Sequence, residues 1–131
     1  IDQGERLYRF WINGGPSAER MQKIDREALV HNERPFALSY YPAGTGNPLL
    51  PALILDSESV QMAAFKPAED GDGWIVRLHE GAGRSGQAVL RVPALGLSHS
   101  LSFKPYQIRT LRIRASQPGI EPAGLCEELG V

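Results

Sequence analysis

Apolar and polar residues alternate with a period of two over several short stretches of this chain, and recur with a helical period over only one. Trp74, Val76 and Leu78 share one parity, while Arg77 and His79 take the other. Leu101 and Phe103 likewise oppose Ser98, Ser100 and Ser102. Such alternation belongs to strands that lay one face on a core. Candidate strands cover 52–56, 59–66, 74–80, 87–92, 98–104 and 106–114, with two more upstream at 6–12 and 36–41. In the last of the six, Ile108 lies on one parity and Leu111 and Ile113 on the other. Either a bulge near Arg109-Thr110 or burial of both faces reconciles them.

Between the two upstream strands, Asn13-Gly14-Gly15-Pro16 is a strong stop and Ser17 offers an N-cap. Ala18, Met21, Ile24 and Ala28 then recur at helical spacing, predicting a short helix near 18–29. Pro42 to Pro51 holds three prolines and two glycines and reads as loop. Short strands at spacings of eight to twelve residues predict a mainly all-β fold, an antiparallel β-sandwich with at most one short helix. Leu78, Leu90, Leu101, Phe103 and Leu111 are the expected core.

Composition narrows the possible roles. The 131 residues suit one domain, 1–131, with 116–131 expected as a loosely held tail. Fourteen Lys and Arg against fifteen Asp and Glu leave a net charge of −1, with the signs interspersed. This argues against nucleic acid, which needs a concentrated basic surface, and against a polybasic membrane anchor. One cysteine, Cys126, allows neither a disulfide framework nor a Cys-rich metal site. The chain begins at Ile1 without methionine or a signal segment, which favours a domain excised from a larger protein and a cytoplasmic location.

Three motifs carry possible chemistry. Gly81-Ala82-Gly83-Arg84-Ser85-Gly86 matches the dinucleotide fingerprint G-x-G-x-x-G, but Gln87 to Val92 reads as strand where that motif opens a helix. No acidic residue stands near Tyr106, where the ribose partner is due. A flexible hairpin loop is the expectation. Glu69-Asp70-Gly71-Asp72-Gly73 resembles the start of a calcium loop, yet Trp74 holds the place of the fifth ligand; Asp-Gly between two β runs predicts a tight turn. His31, His79 and His99 share no ligand spacing, and acids expected at the surface, such as Glu58, Glu69, Asp70 and Glu80, single out no catalytic pair.

One stretch is more specific than its chemistry. Phe65-Lys-Pro-Ala-Glu-Asp-Gly-Asp-Gly-Trp-Ile-Val-Arg-Leu-His-Glu80 resembles a signature in the C-terminal β region of glycoside hydrolase family 38, the α-mannosidases. Lys104-Pro105-Tyr106-Gln107-Ile108-Arg109-Thr110-Leu111-Arg112-Ile113 is similar to that family's closing strand, and Ala28 through Asn32 to Pro35 to an upstream stretch. The resemblance runs in the right order over most of residues 5 to 115. His79 departs from the family's usual tyrosine, and Tyr106-Gln107 from its usual Phe-Glu.

The resemblance implies a zinc-dependent retaining α-mannosidase whose metal ligands and nucleophile sit in an N-terminal barrel outside this chain. No catalytic, cofactor-binding or metal-binding residue is therefore carried over. The implied role is a non-catalytic C-terminal β domain that braces the barrel, with a loop within reach of its cleft; the alternative is an autonomous carbohydrate-binding module stacking sugars on Trp11, Tyr40, Tyr41 or Trp74. Partners implied are the barrel, neighbouring domains and mannose-containing glycans. Asp70, Asp72 and Trp74 are the candidate cleft or sugar contacts. Tyr41, Leu49, Leu50, Leu53 and Ile54 crowd a Pro-rich stretch without charge, and are the candidate interface through which the isolated chain is expected to form a homodimer.

Overall fold

A computed structural model describes residues 4–33, 35–39, 49–114 and 116–127. One helix, α1 (Ser17–Asn32), precedes seven strands: β1 (Ile54–Asp56), β2 (Val60–Pro67), β3 (Trp74–Glu80), β4 (Gly86–Val92), β5 (Leu97–Phe103), β6 (Ile108–Arg114) and β7 (Gly119–Ala123). They form two antiparallel sheets, β1-β4-β5 and β2-β3-β6-β7. The predicted β-sandwich is the fold, and the five expected core residues are all buried. With Val60, Val76, Ala88, Val92 and Ile113 they fill the space between the sheets.

The alternation that predicted β3 and β5 holds because one parity of each faces this core. In β6 the two possibilities separate: its pairing with β3 runs in unbroken register from His79↔Ile108 to Trp74↔Ile113. No bulge falls at Arg109-Thr110; Thr110, Leu111, Arg112 and Ile113 are all buried, so the strand is covered on both faces. The bulge lies in β2 instead, between Met62 and Ala64.

The Asp-Gly turn joins β2 to β3 as expected. Gly73 sits at φ +100, and a β-carbon there would run into the Ile113 carbonyl, so only glycine fits. The Gly81–Gly86 loop differs from expectation. It joins β3 of one sheet to β4 of the other, so it is a bridge between sheets and not a hairpin.

The helix is longer than its periodicity suggested. It starts at Ser17 itself, with Pro16 in the cap position and no side-chain cap. It continues to Asn32 because Pro35 bars helical backbone only at the residue just before it. None of its residues is buried; Met21, Ile24, Leu29 and Val30 face solvent. Arg26 donates to the Ser57 carbonyl, one of the few ties between α1 and the sandwich. The upstream strand expected at 6–12 does not form; this segment carries Trp11 to a stack on His31, with ring centroids 4.6 Å apart. Residues 35–39 are not strand either. β-prone side chains make a strand only where a neighbouring backbone supplies the ladder, and none of the described residues does so here. Past Ser116, where only a tail was expected, β7 pairs with β6 from Thr110↔Ala123 to Arg114↔Gly119.

Candidate functional site

The β2–β3 turn brings Asp70 and Asp72 together, and both carboxylates are taken up by arginines of β6. Arg112, only 3% exposed, donates to the Asp72 carbonyl from Nε at 3.1 Å and Nη2 at 2.9 Å, and pairs with the Asp70 carboxylate. Arg114 pairs with Asp72 and, through Nε at 2.6 Å, with Glu121 of β7. The Arg112 guanidinium holds the Asp70 carboxyl below the usual carboxylate range. A guanidinium buried on the outer face of β6 needs these acceptors, so the acids serve to satisfy it.

Trp74 points elsewhere. It is half-exposed and lines an apolar groove of about 240 Å³ with Leu53, Phe65, Val92, Leu95 and Ile113. The three candidate sugar contacts are thus not one constellation: two are bound to arginine and the third faces a groove with scarcely any polar lining.

The residue that sequence reasoning placed wrongly is Glu80. Expected at the surface, it is 1% exposed, on the same parity of β3 as Val76 and Leu78. It is stable there because its oxygens collect backbone N–H donors. Oε1 accepts from Ala82 at 3.0 Å; Oε2 accepts from Gly83 at 2.9 Å, Arg84 at 3.2 Å and Tyr106 at 3.1 Å. Burial by itself would raise this carboxyl's pKa. The N–H groups of Tyr106, Ala82 and Gly83, with the Ser59 hydroxyl, outweigh that and hold it below the ordinary Glu range. One carboxylate therefore ties the inter-sheet loop to the turn before β6. The signal available in the sequence was an acid directly preceding a glycine-rich loop, whose successive amides can converge on one anion.

That turn holds Tyr106 at φ +57, in the left-handed region that bulky residues rarely adopt. Its ring lies where a side chain of Gly83 would be, and Gly83 itself has φ +71. The turn is locked on both sides: Lys104 N–H donates to Gln107 Oε1 at 2.9 Å, and Gln107 N–H to the Lys104 carbonyl at 3.1 Å.

Metal chemistry finds no donor set among the described residues. No three His, Cys, Asp or Glu side chains gather there. Asp25 of α1 and His79 both reach Gly81, and His79 Nδ1 is buried without a partner, but no further ligand joins this pair. Zinc does not fit these residues.

Of the candidate interface residues, Leu49 and Leu50 are exposed, at 85% and 61%. Ile54 is at the boundary of exposure on β1, and Leu53 packs against the core. Tyr41, like the Tyr40 proposed for sugar stacking, lies outside the described residues. The larger apolar surface is one that sequence reasoning assigned to strands: Leu7, Tyr8, Phe10, Ile12, Phe36 and Leu38 are each at least 70% exposed.

Among comparisons with known proteins, residues 59–100 match the model of the glycosyl hydrolases family 38 C-terminal beta sandwich domain. The match runs from the residue before β2 into β5 and includes Glu80 and its loop. No curated protein and no solved structure gives a significant match to the chain.

Proposed function

We propose that this chain, residues 59–100 of which match the model of the family 38 C-terminal beta sandwich domain, is a non-catalytic domain of a zinc-dependent retaining α-mannosidase that braces the catalytic barrel. The family match carries this reading. In it, zinc and the nucleophile belong to the barrel, and the chain contributes surface. The apolar residues at 7–12, 36–38 and 49–50 supply that surface, since a domain that worked alone would gain nothing by leaving them in water. Contacts between domains of one polypeptide bury roughly 600 to 1,500 Å², a scale these side chains can reach.

The test is complementation. The chain alone should not hydrolyse an aryl α-mannoside. Added to the separately expressed remainder of its parent enzyme, it should co-purify with it and restore thermal stability and turnover. Phe10→Glu with Ile12→Glu should break that association. Turnover by the chain alone, or a remainder that is fully active and stable without it, would refute the reading.

A further inference from the structure

We propose that Tyr106 is a stacking platform for a pyranose ring, built by the Glu80 carboxylate and the Gly81–Gly86 loop. The proposal rests on the reading of the domain as part of a glycosidase, and adds a ligand site that this reading does not require. Tyr106 is 68% exposed, yet its backbone is held in a left-handed conformation that costs a bulky residue free energy. Its N–H is bonded to a carboxylate buried in the sandwich, which at the same time binds the amides of Ala82, Gly83 and Arg84. One part of the ring rests on Gly83, where any side chain would displace it. The construction fixes an aromatic surface in space and leaves it open to solvent.

A rigid, exposed aromatic face within a polar rim suits a ligand with one apolar face and hydroxyls around its edge. Polar groups stand beside it in the backbone of Gly83, against which the ring lies, and in Gln107 of the same turn. An uncharged sugar needs no charged partner here, and the Arg84 guanidinium of the neighbouring loop is already paired with Glu58 at 3.2 Å. Stacking on tyrosine exploits the C–H face of the pyranose, with affinity limited by the small area covered.

The experiment is an NMR titration of the whole chain with methyl α-mannoside, methyl β-glucoside and methyl β-galactoside at high millimolar concentration. Binding should shift the Tyr106 ring and the amides of residues 82–84 in a saturable way. Tyr106→Phe should keep it, because stacking needs the ring and not the hydroxyl. Tyr106→Ala and Tyr106→Gly should weaken it about tenfold or more. Tyr106→Gly is the decisive variant, since glycine takes φ +57 without strain: it should melt higher than the wild type while losing the sugar. Glu80→Gln should weaken binding while leaving Tyr106 in place, through a looser turn. Shifts from none of the three glycosides, or shifts that Tyr106→Gly leaves unchanged, would overturn the site and leave the bracing role standing. Binding at Tyr106 to the glucoside or galactoside alone would support the site and count against a mannoside-handling parent.

Discussion

Glu80 concentrates more structural consequence than any other side chain on β3. Its carboxyl titrates below its ordinary value of 4.5 in the folded chain, so between that value and the native one the unfolded chain binds the extra proton. Stability from this group is therefore complete above pH 4.5 and is lost as pH falls through the native pKa. Glu80→Gln should lower the melting temperature at pH 7 and flatten the acid limb of stability against pH, readable by calorimetry from pH 7 to 2. A steep acid limb unchanged in the variant would assign it to other carboxylates, such as Asp70 or Glu127, which are depressed in the same direction by Arg112 and Lys66. Gly83→Ala meets both a positive φ and the Tyr106 ring, and should cost more than about 1 kcal/mol in urea unfolding. The alternation of β3 was legible in its sequence and placed Glu80 on the core side together with Val76 and Leu78. Charge alone suggested the surface. That suggestion failed because the four amides that stabilise the carboxylate come from positions 82–84 and 106, which only the fold brings together.

Helix α1 and the strands answer to different partners. The strands bury their apolar parity against one another, so Leu78→Ala or Leu111→Ala should cost about 2–5 kcal/mol. Ile24→Ala or Leu29→Ala on α1 should stay within about 0.5 kcal/mol in the isolated chain, because neither side chain is buried. Denaturant titrations of the four variants would compare them, and a large cost in the helix would mean that it packs on the sandwich. Besides the Trp11–His31 stack, polar contacts within α1 and to the segment before it fix the helix. Arg20 and Asn13 both donate to Glu27, whose carboxyl is lowered to about 2, chiefly by the Arg20 hydrogen bond. At the other end of the chain β7 is bound to β6, and beyond it Arg77 donates to the Leu125 carbonyl at 2.8 Å while Lys66 pairs with Glu127 at 2.6 Å. Composition gave no hint of β7, since four of the five residues of Gly119-Ile-Glu-Pro-Ala123 are weak strand formers and the strand is stabilised by its ladder.

At the scale of the molecule, the seven strands enclose a core, and among the described residues Leu7 to Ile12, Phe36 and Leu38 leave apolar side chains exposed. In isolation that surface should drive self-association, most simply as a symmetric dimer. Sedimentation should show concentration-dependent dimerisation of the wild type, and Ile12→Glu with Leu49→Glu should return it to monomer with unchanged circular dichroism. A wild type that stays monomeric at high concentration would mean that these side chains do not form a sticky face. The expected interface was centred on 41–54; the structure keeps Leu49 and Leu50 exposed but draws Leu53 onto the core, and the greater exposed area belongs to Leu7 through Ile12 with Phe36 and Leu38.

Local pattern alone determined the sandwich, β3 to the residue, the Asp-Gly turn and the five core side chains, because period-two alternation and turn chemistry are properties of neighbours in sequence. The signature around Phe65–Glu80 determined the family resemblance in the same way, through adjacent residues. Tertiary structure alone decided what each polar group does. Whether Asp70 and Asp72 meet a sugar or an arginine depends on β6 lying forty residues away, and whether Leu7–Ile12 is a strand depends on a partner backbone. Hydrogen bonds and ion pairs act over a few ångströms of space, whatever the separation along the chain, so their partners emerge only when the sheets are assembled.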